Sequence, residues 1–205
     1  MKNVKLGRND LIKIWDEEYE LIKNLAPLKG FQFRTWLVRN TTNGKEYVAK
    51  ITRKRKRALN ELRVYLCLKN RGYESRYYSE MRAFDHNTTV IKSDGRQYDG
   101  FWTILLQYLT WPKFQPLDDF IKNCTDKKII PKVVRKLRRR LDRLHECGVA
   151  HCDIREANVM VKTTDETVGV RLIDFGLSKI GADEQSKRKD IKRAENIIKK
   201  LQKIV

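Results

Sequence analysis

The chain has 205 residues and a formal net charge of +19, from 45 Lys+Arg against 26 Asp+Glu. At 40% hydrophobic and 9% aromatic it can bury a core, which excludes a wholly disordered tail, and it has no apolar run long enough to cross a membrane. Four cysteines without CxxC spacing and three histidines argue against a disulfide scaffold or a zinc module, and the opening MKNVKLGRND lacks the apolar stretch of a secretory leader, so an intracellular protein is expected.

In chain order, Leu11, Ile14, Trp15, Leu21, Ile22 and Leu25 fall at helical spacing, so an amphipathic helix is predicted over residues 9–25. Asn9 or Asp10 would cap it and Pro27 follows its end. Residues 29–51 read as strand, turn and strand, with Asn43-Gly44 as the hairpin turn. In the second of these strands Lys50 shares a face with Val48. Residues 58–69 are predicted helical, with Leu59, Leu62 and Leu66 as the apolar side and Glu61 nearby. The stretch 70–100 is polar and reads as irregular, with a turn at Ser93-Asp94-Gly95. Residues 101–109 form a nearly continuous apolar run that suits a buried strand.

A short helix is predicted over 117–123. A longer one follows from Pro131 to Cys147, with Val133, Leu137, Leu141 and Leu144 facing the core and Gly148 at the end. Two short strands, 159–162 and 170–173, come next. A last helix over 186–204 would be capped by Ser186 and buried through Ile191, Ala194, Ile198 and Leu201. The elements make an α+β chain in two lobes. The positive charge gathers at Arg53–Arg57, between Lys132 and Arg143, and between Lys187 and Lys203. Such runs are either solvated helix faces or a surface for a polyanion, and charge by itself names no partner.

Three segments carry chemistry when taken together: Tyr47-Val48-Ala49-Lys50-Ile51; His151-Cys152-Asp153 with Asn158 five residues beyond the aspartate; and Asp174-Phe175-Gly176. A strand lysine, HxDxxxxN and DFG in this order match the protein-kinase signature set, and the chain resembles the protein kinase-like superfamily from Gly30 to Gly176. The resemblance implies a two-lobed kinase-like fold, with a small β-sheet N-lobe and a truncated helical C-lobe. Its expected parts are an N-terminal helix over 1–28, an N-lobe over 29–109 and a reduced C-lobe over 110–205.

The resemblance also implies roles. Lys50 would hold the α/β-phosphates of ATP, oriented by a carboxylate for which Glu61 is the best candidate, although the two lie close in sequence for the family; a solvent-facing Glu61 is the plain alternative. Asp174 and Asn158 would hold Mg²⁺, or Mn²⁺ in its place. Asp153 would accept the proton of the substrate hydroxyl, and Arg155 would meet the γ-phosphate. Backbone groups of Gln107 to Leu109 would bind adenine. Gly30 keeps one position of the glycine-rich loop, while Leu28 and Phe33 replace the other two.

Cys152 stands where many kinases have an arginine that pairs with an activation-loop phosphate. Only 29 residues follow Gly176, and no APE motif is among them. This economy resembles the small kinase-like ATPase of the KEOPS tRNA-modification complex, the RIO kinases and the reduced kinases of large DNA viruses. The expected activity is ATP- and Mg²⁺-dependent transfer to Ser/Thr hydroxyls of acidic or basic proteins, including the chain itself. The alternatives are a kinase-like ATPase held to nucleic acid or an anionic partner by its basic patches, with Arg138–Arg140 as a candidate groove, and a small-molecule or sugar kinase.

Overall fold

The computed structural model describes residues 4–25, 34–109, 114–164 and 167–204. The chain forms two compact units, Met1–Leu62 with Glu80–Tyr108, and Arg63–Ser79 with Leu109–Val205. The fold is α+β, as expected.

Among the described residues of the first unit there are six strands: β1 (Leu11–Ile14), β2 (Glu17–Asn24), β3 (Arg34–Asn40), β4 (Glu46–Thr52), β5 (Met81–Ile91) and β6 (Gln97–Gln107). They close into an antiparallel barrel in the order β1-β2-β3-β4-β6-β5. Closure depends on β1, where Ile12 lies opposite Tyr19 of β2 on one side and Val90 of β5 on the other. A closed barrel leaves no strand edge to template aggregation. Its interior is filled by side chains from every strand, among them Ile12, Ile14, Leu21, Val38, Ala49, Ile51, Val90 and Leu105.

The helix expected over residues 9–25 is therefore absent, and the β1–β2 hairpin takes its place. Ile12 and Ile14, then Tyr19 and Leu21, alternate with charged residues and are all buried, so the period of two fills the barrel. Trp15 and Asp16 form the two-residue turn between Ile14 and Glu17. Trp15, expected on the buried stripe, is 63% exposed and has φ 54°. The two geometries predict opposite signs for Trp15→Gly. Glycine inside a helix costs about 1 kcal/mol, whereas at a positive-φ turn it relieves roughly that amount. Urea denaturation is expected to show a variant at least as stable as the parent; a loss near 1 kcal/mol would speak for the helix.

The stretch 70–100, expected to be irregular, is mostly the β5–β6 hairpin, and its turn falls at Ser93-Asp94-Gly95 as predicted. Residues 85–89 are polar. There the register slips between Asp85 and Thr88, and Asp85 accepts from Asn87 N–H at 3.1 Å and from the Thr88 hydroxyl at 2.9 Å. Asn43-Gly44 turns β3 into β4 as expected, with Gly44 at φ 69°.

Helix α1 (Arg55–Asn70) starts earlier than predicted and takes in part of the basic run; the division between units falls within it, after Leu62. Its buried positions are Ala58, Glu61, Val64, Tyr65 and Leu68, while Leu66 is exposed, so the buried side is not the Leu59-Leu62-Leu66 side.

The second unit contains α2 (Leu117–Asn123), α3 (Ile130–Glu146) and α4 (Glu184–Gln202). Two short strand groups accompany them: β7 (Gln115–Pro116) with β9 (Val159–Thr163) and β10 (Val168–Leu172), and β8 (Val149–Ala150) with β11 (Lys179–Ile180). Val133, Leu137, Leu141 and Leu144 are buried on α3 as its periodicity predicts, and Gly148 at φ 66° ends it. In α4 the cap is Asp183, whose Oδ1 accepts from Ser186 N–H at 2.6 Å; Ser186 itself is buried inside the first turn. Ile191 is exposed, and Asp190, Ala194, Ile197, Ile198 and Leu201 form the buried stripe.

Candidate active site

Within the first unit, β4 runs between β3 and β6, with Lys50 opposite Thr35 and Ile104. Ala49 and Ile51 point into the barrel, so strand alternation puts Lys50 on its outer face beside Val48. Only Arg53 and Lys54 separate β4 from α1, and this short link brings Glu61 back to the strand. Lys50 Nζ donates to Glu61 Oε1 at 2.6 Å. Glu61 has no exposed surface, which rules out the solvent-facing alternative. Two charges at this depth persist because each offsets the other's lost hydration.

Within the second unit, the segment from His151 to Asn158 is fixed by a residue far away in sequence. Asp190, fully buried on α4, accepts from His151 N–H at 2.7 Å and from Cys152 N–H at 2.9 Å, and its Oδ2 lies 3.2 Å from His145 Nε2. Cys152 has φ 63°, a left-handed conformation disfavoured for a side chain with Cβ, and the Asp190 bonds to the His151 and Cys152 N–H groups anchor the backbone leading into it. Asp153 follows. Asn158 Nδ2 donates to its Oδ2 at 2.8 Å and to its carbonyl at 2.9 Å, and Arg155 Nε lies 3.2 Å from the same Oδ2. Among the described residues, the Asp153 Oδ1 atom has no such partner.

The β9–β10 hairpin then returns the chain to this place. Val159 pairs with Leu172, and Ile173 N–H donates to the Asn158 carbonyl at 3.0 Å, so Asp174 emerges beside Asn158. His151 Nε2 lies 3.0 Å from the Ile173 carbonyl, while its Nδ1 accepts from Asp153 N–H at 3.3 Å. These two bonds require the neutral ring protonated at Nε2, and complete burial pushes the imidazole's proton affinity down in agreement. Asp174 takes φ 66°, and Phe175 behind it is fully buried against Tyr65, Tyr78 and His151, with ring centroids 5.6, 6.1 and 5.0 Å away. The aromatic cluster anchors the backbone on either side of the aspartate.

The first unit thus carries a buried lysine–glutamate pair, and the second an Asp–Asn couple with a neighbouring aspartate set by an aromatic anchor, side-chain types that suit phosphoryl transfer. The protein kinase domain model matches residues 32–196. The chain belongs to the protein kinase domain family. A Plasmodium falciparum (isolate K1 / Thailand) protein named "Probable serine/threonine-protein kinase 2" is 26% identical over 115 residues, covering 54% of this chain. The matched region is 22% of that relative's length.

As a kinase domain the chain has donors suited to the ATP and divalent metal that the family uses. Asn158 spends its Nδ2 on Asp153, which leaves its amide oxygen as the atom that could ligate a metal, and Asp174 could add a carboxylate. Both are the hard oxygen donors that Mg²⁺ prefers, in the small number typical of sites completed by substrate phosphates. Among the described residues no group of three His, Cys, Asp or Glu gathers as a protein-only metal cage.

Gln107 ends β6 and donates its N–H to the Glu80 carbonyl at 2.8 Å; Leu109, two residues on, is buried. Gly30, Leu28 and Phe33 lie outside the described residues. Arg155 is placed on Asp153. The basic groove expected at Arg138–Arg140 divides differently: Arg138 is tied to Glu195, and Arg140 is buried with its guanidinium 3.6 Å over the Tyr77 ring. Asp190 was missed from sequence. The signal available for it is an acid on the apolar stripe of a mostly basic helix, four residues before Ala194 and eight before Ile198.

Proposed function

We propose that this chain transfers the γ-phosphoryl group of ATP to Ser/Thr hydroxyls of proteins, its own included. The observation that carries the reading is the Asp153–Asn158 couple, locked by two hydrogen bonds and standing beside Asp174. In this reading Lys50, oriented by Glu61, binds the α/β-phosphates, and the backbone of Gln107 to Leu109 receives adenine. Asn158 and Asp174 hold Mg²⁺, which neutralises phosphate charge when bound. Asp153 Oδ1 accepts the hydroxyl proton while Oδ2 stays engaged by Asn158 and Arg155, so the carboxylate is oriented before substrate arrives. Arg155 is a second cation for the charge that develops on the transferred group. Gly30, a few residues before β3 in sequence, supports the phosphates.

A second reading has one observation behind it. Seven residues, Leu177–Asp183, connect Gly176 to α4, and the only strand among them is the two-residue β11. That leaves little room for a segment that docks a protein substrate. A nucleic-acid- or partner-associated ATPase would not need one.

Incubation with labelled ATP, Mg²⁺ and acidic and basic protein substrates separates the readings. Label on protein is expected, falling at least about a thousandfold in Asp174→Ala and Lys50→Ala with folding retained. Undiminished transfer in Asp174→Ala would overturn the assignment, and free phosphate without protein label would favour the ATPase.

A further inference from the structure

In the first unit, the outer face of the barrel gathers aromatic rings where β4 passes into α1. The alternation that puts Lys50 outside puts Thr52 there too, and Thr52 lies opposite Trp102 of β6. Phe84 of β5, opposite Ile104, joins the same face, its ring centroid 5.9 Å from that of Trp102. The register slip after Asp85 brings His86 to the same indole, also at 5.9 Å. These rings are tilted by 53° and 56° to the indole rather than stacked flat on it. Trp102 and Phe84 are partly exposed and His86 is exposed, so part of the aromatic surface meets solvent.

The basic run Arg53–Arg57 borders these rings. Arg55 Cζ lies 5.9 Å from the Trp102 ring centroid, and Arg53 Cζ 4.4 Å from that of Phe101. The backbone beneath the cations is fixed. The Thr52 hydroxyl accepts from Lys54 N–H at 3.0 Å, and the Lys54 carbonyl accepts from Arg57 N–H at 3.0 Å and Ala58 N–H at 3.3 Å as α1 begins. Arg53, Lys54, Arg55 and Lys56 are exposed. Among the described residues, none of Arg53 to Arg57 takes part in an ion pair. No acid stands in the first turn of α1, so three cations sit at the positive end of the helix dipole, where an anion is favoured. The acids of β5 and β6 are engaged elsewhere: Asp85 is buried on Asn87 and Thr88, and Asp99 accepts from the Thr89 hydroxyl at 2.6 Å.

We propose that this face binds single-stranded nucleic acid, with a base against Trp102 and phosphates along Arg53 to Lys56. Rings set beside cations suit unpaired bases, whose π-faces are open, whereas the bases of a duplex are stacked on one another. Arginine and lysine meet the phosphates between them. An acidic peptide would meet the same cations without a planar partner for the indole. The face uses none of Lys50, Asp153, Asn158 or Asp174, so the inference holds under either reading of the active site.

The test is fluorescence anisotropy of the full chain, without ATP, with a labelled oligouridylate of about 12 nucleotides. Four exposed cations on phosphates predict a log–log salt slope of about −2.8, a fall in affinity of roughly fiftyfold between about 50 and 200 mM salt. Arg55→Gln with Lys56→Gln is expected to weaken binding and to halve that slope. Trp102→Leu, which removes stacking without charge, should weaken binding at least about fivefold and reduce the quenching of tryptophan fluorescence by the strand. Lys189→Gln with Lys192→Gln takes the same charge from exposed positions of α4 and should leave affinity and slope near the parent's. The Arg55 and Lys56 variant alters only exposed side chains, so it decides the matter even where Trp102→Leu does not fold. Equal weakening by the two cation pairs, parental affinity in a folded Trp102→Leu, or tighter binding of a duplex of the same length would overturn the proposal. So would polyglutamate or phosphatidylserine vesicles that displace the strand as readily as its unlabelled form does at matched charge.

Discussion

Replacing Asp190 by alanine is expected to destabilise the second unit by roughly 3–5 kcal/mol and to reduce transfer by more than about a hundredfold. The carboxylate accepts from two backbone N–H groups and faces His145, all from a fully buried position. Truncation leaves those N–H groups in a place water does not fill, and each buried unpaired donor costs about 1–3 kcal/mol. It also frees the peptide that holds Cys152 at φ 63°, immediately before Asp153. Asp190→Asn should cost less, because its one amide oxygen can still receive one N–H while its NH₂ opposes the other. Urea denaturation gives the stability and labelled ATP the transfer. An alanine variant within about 1 kcal/mol of the parent would show that the loop holds its shape without Asp190.

The site residues were legible because their chemistry demands particular side chains at short spacings. Asp153 and Asn158 are five residues apart and bonded directly, and Asp174 sits across the β9–β10 hairpin from them, so local sequence already encodes much of the geometry. What Asp190 holds was not legible, because two of its partners are main-chain N–H groups nearly forty residues away and a backbone donor leaves no mark on composition. The N-terminal hairpin was misread for a different reason. Residues 11–22 satisfy both periods: Leu11, Ile14, Trp15, Leu21 and Ile22 at helical spacing, and Ile12, Ile14, Tyr19 and Leu21 at strand spacing. The turn that decides between them, Trp15-Asp16, contains neither Gly nor Asn, so barrel closure selects the strand form. In α1 the element was legible and the buried face was not, whereas in α4 the expected stripe holds at Ala194, Ile198 and Leu201 and fails only at Ile191. A glutamate in one and an aspartate in the other occupy core-facing positions that hydrophobicity assigns to solvent.

That buried glutamate supports the second large effect, in which stability and chemistry part company. Glu61→Ala removes the carboxylate that Lys50 Nζ meets at 2.6 Å and is expected to cost about 3–5 kcal/mol, because the ammonium group stays buried without it. Lys50→Met combined with Glu61→Leu removes both charges and keeps the volume. A buried ion pair is commonly no more stabilising than the apolar side chains that would replace it, so the double variant should recover most of that loss. The strongly positive coupling between the two sites is measurable by a double-mutant cycle in urea. Transfer should behave otherwise. In the proposed mechanism Lys50 holds the α/β-phosphates, so the double variant should be folded and lack transfer. A well-folded double variant that still labels protein at a rate near the parent's would remove Lys50 from the catalytic machinery. A double variant as unstable as Glu61→Ala would instead show that the α1–β4 packing depends on the charge pair itself.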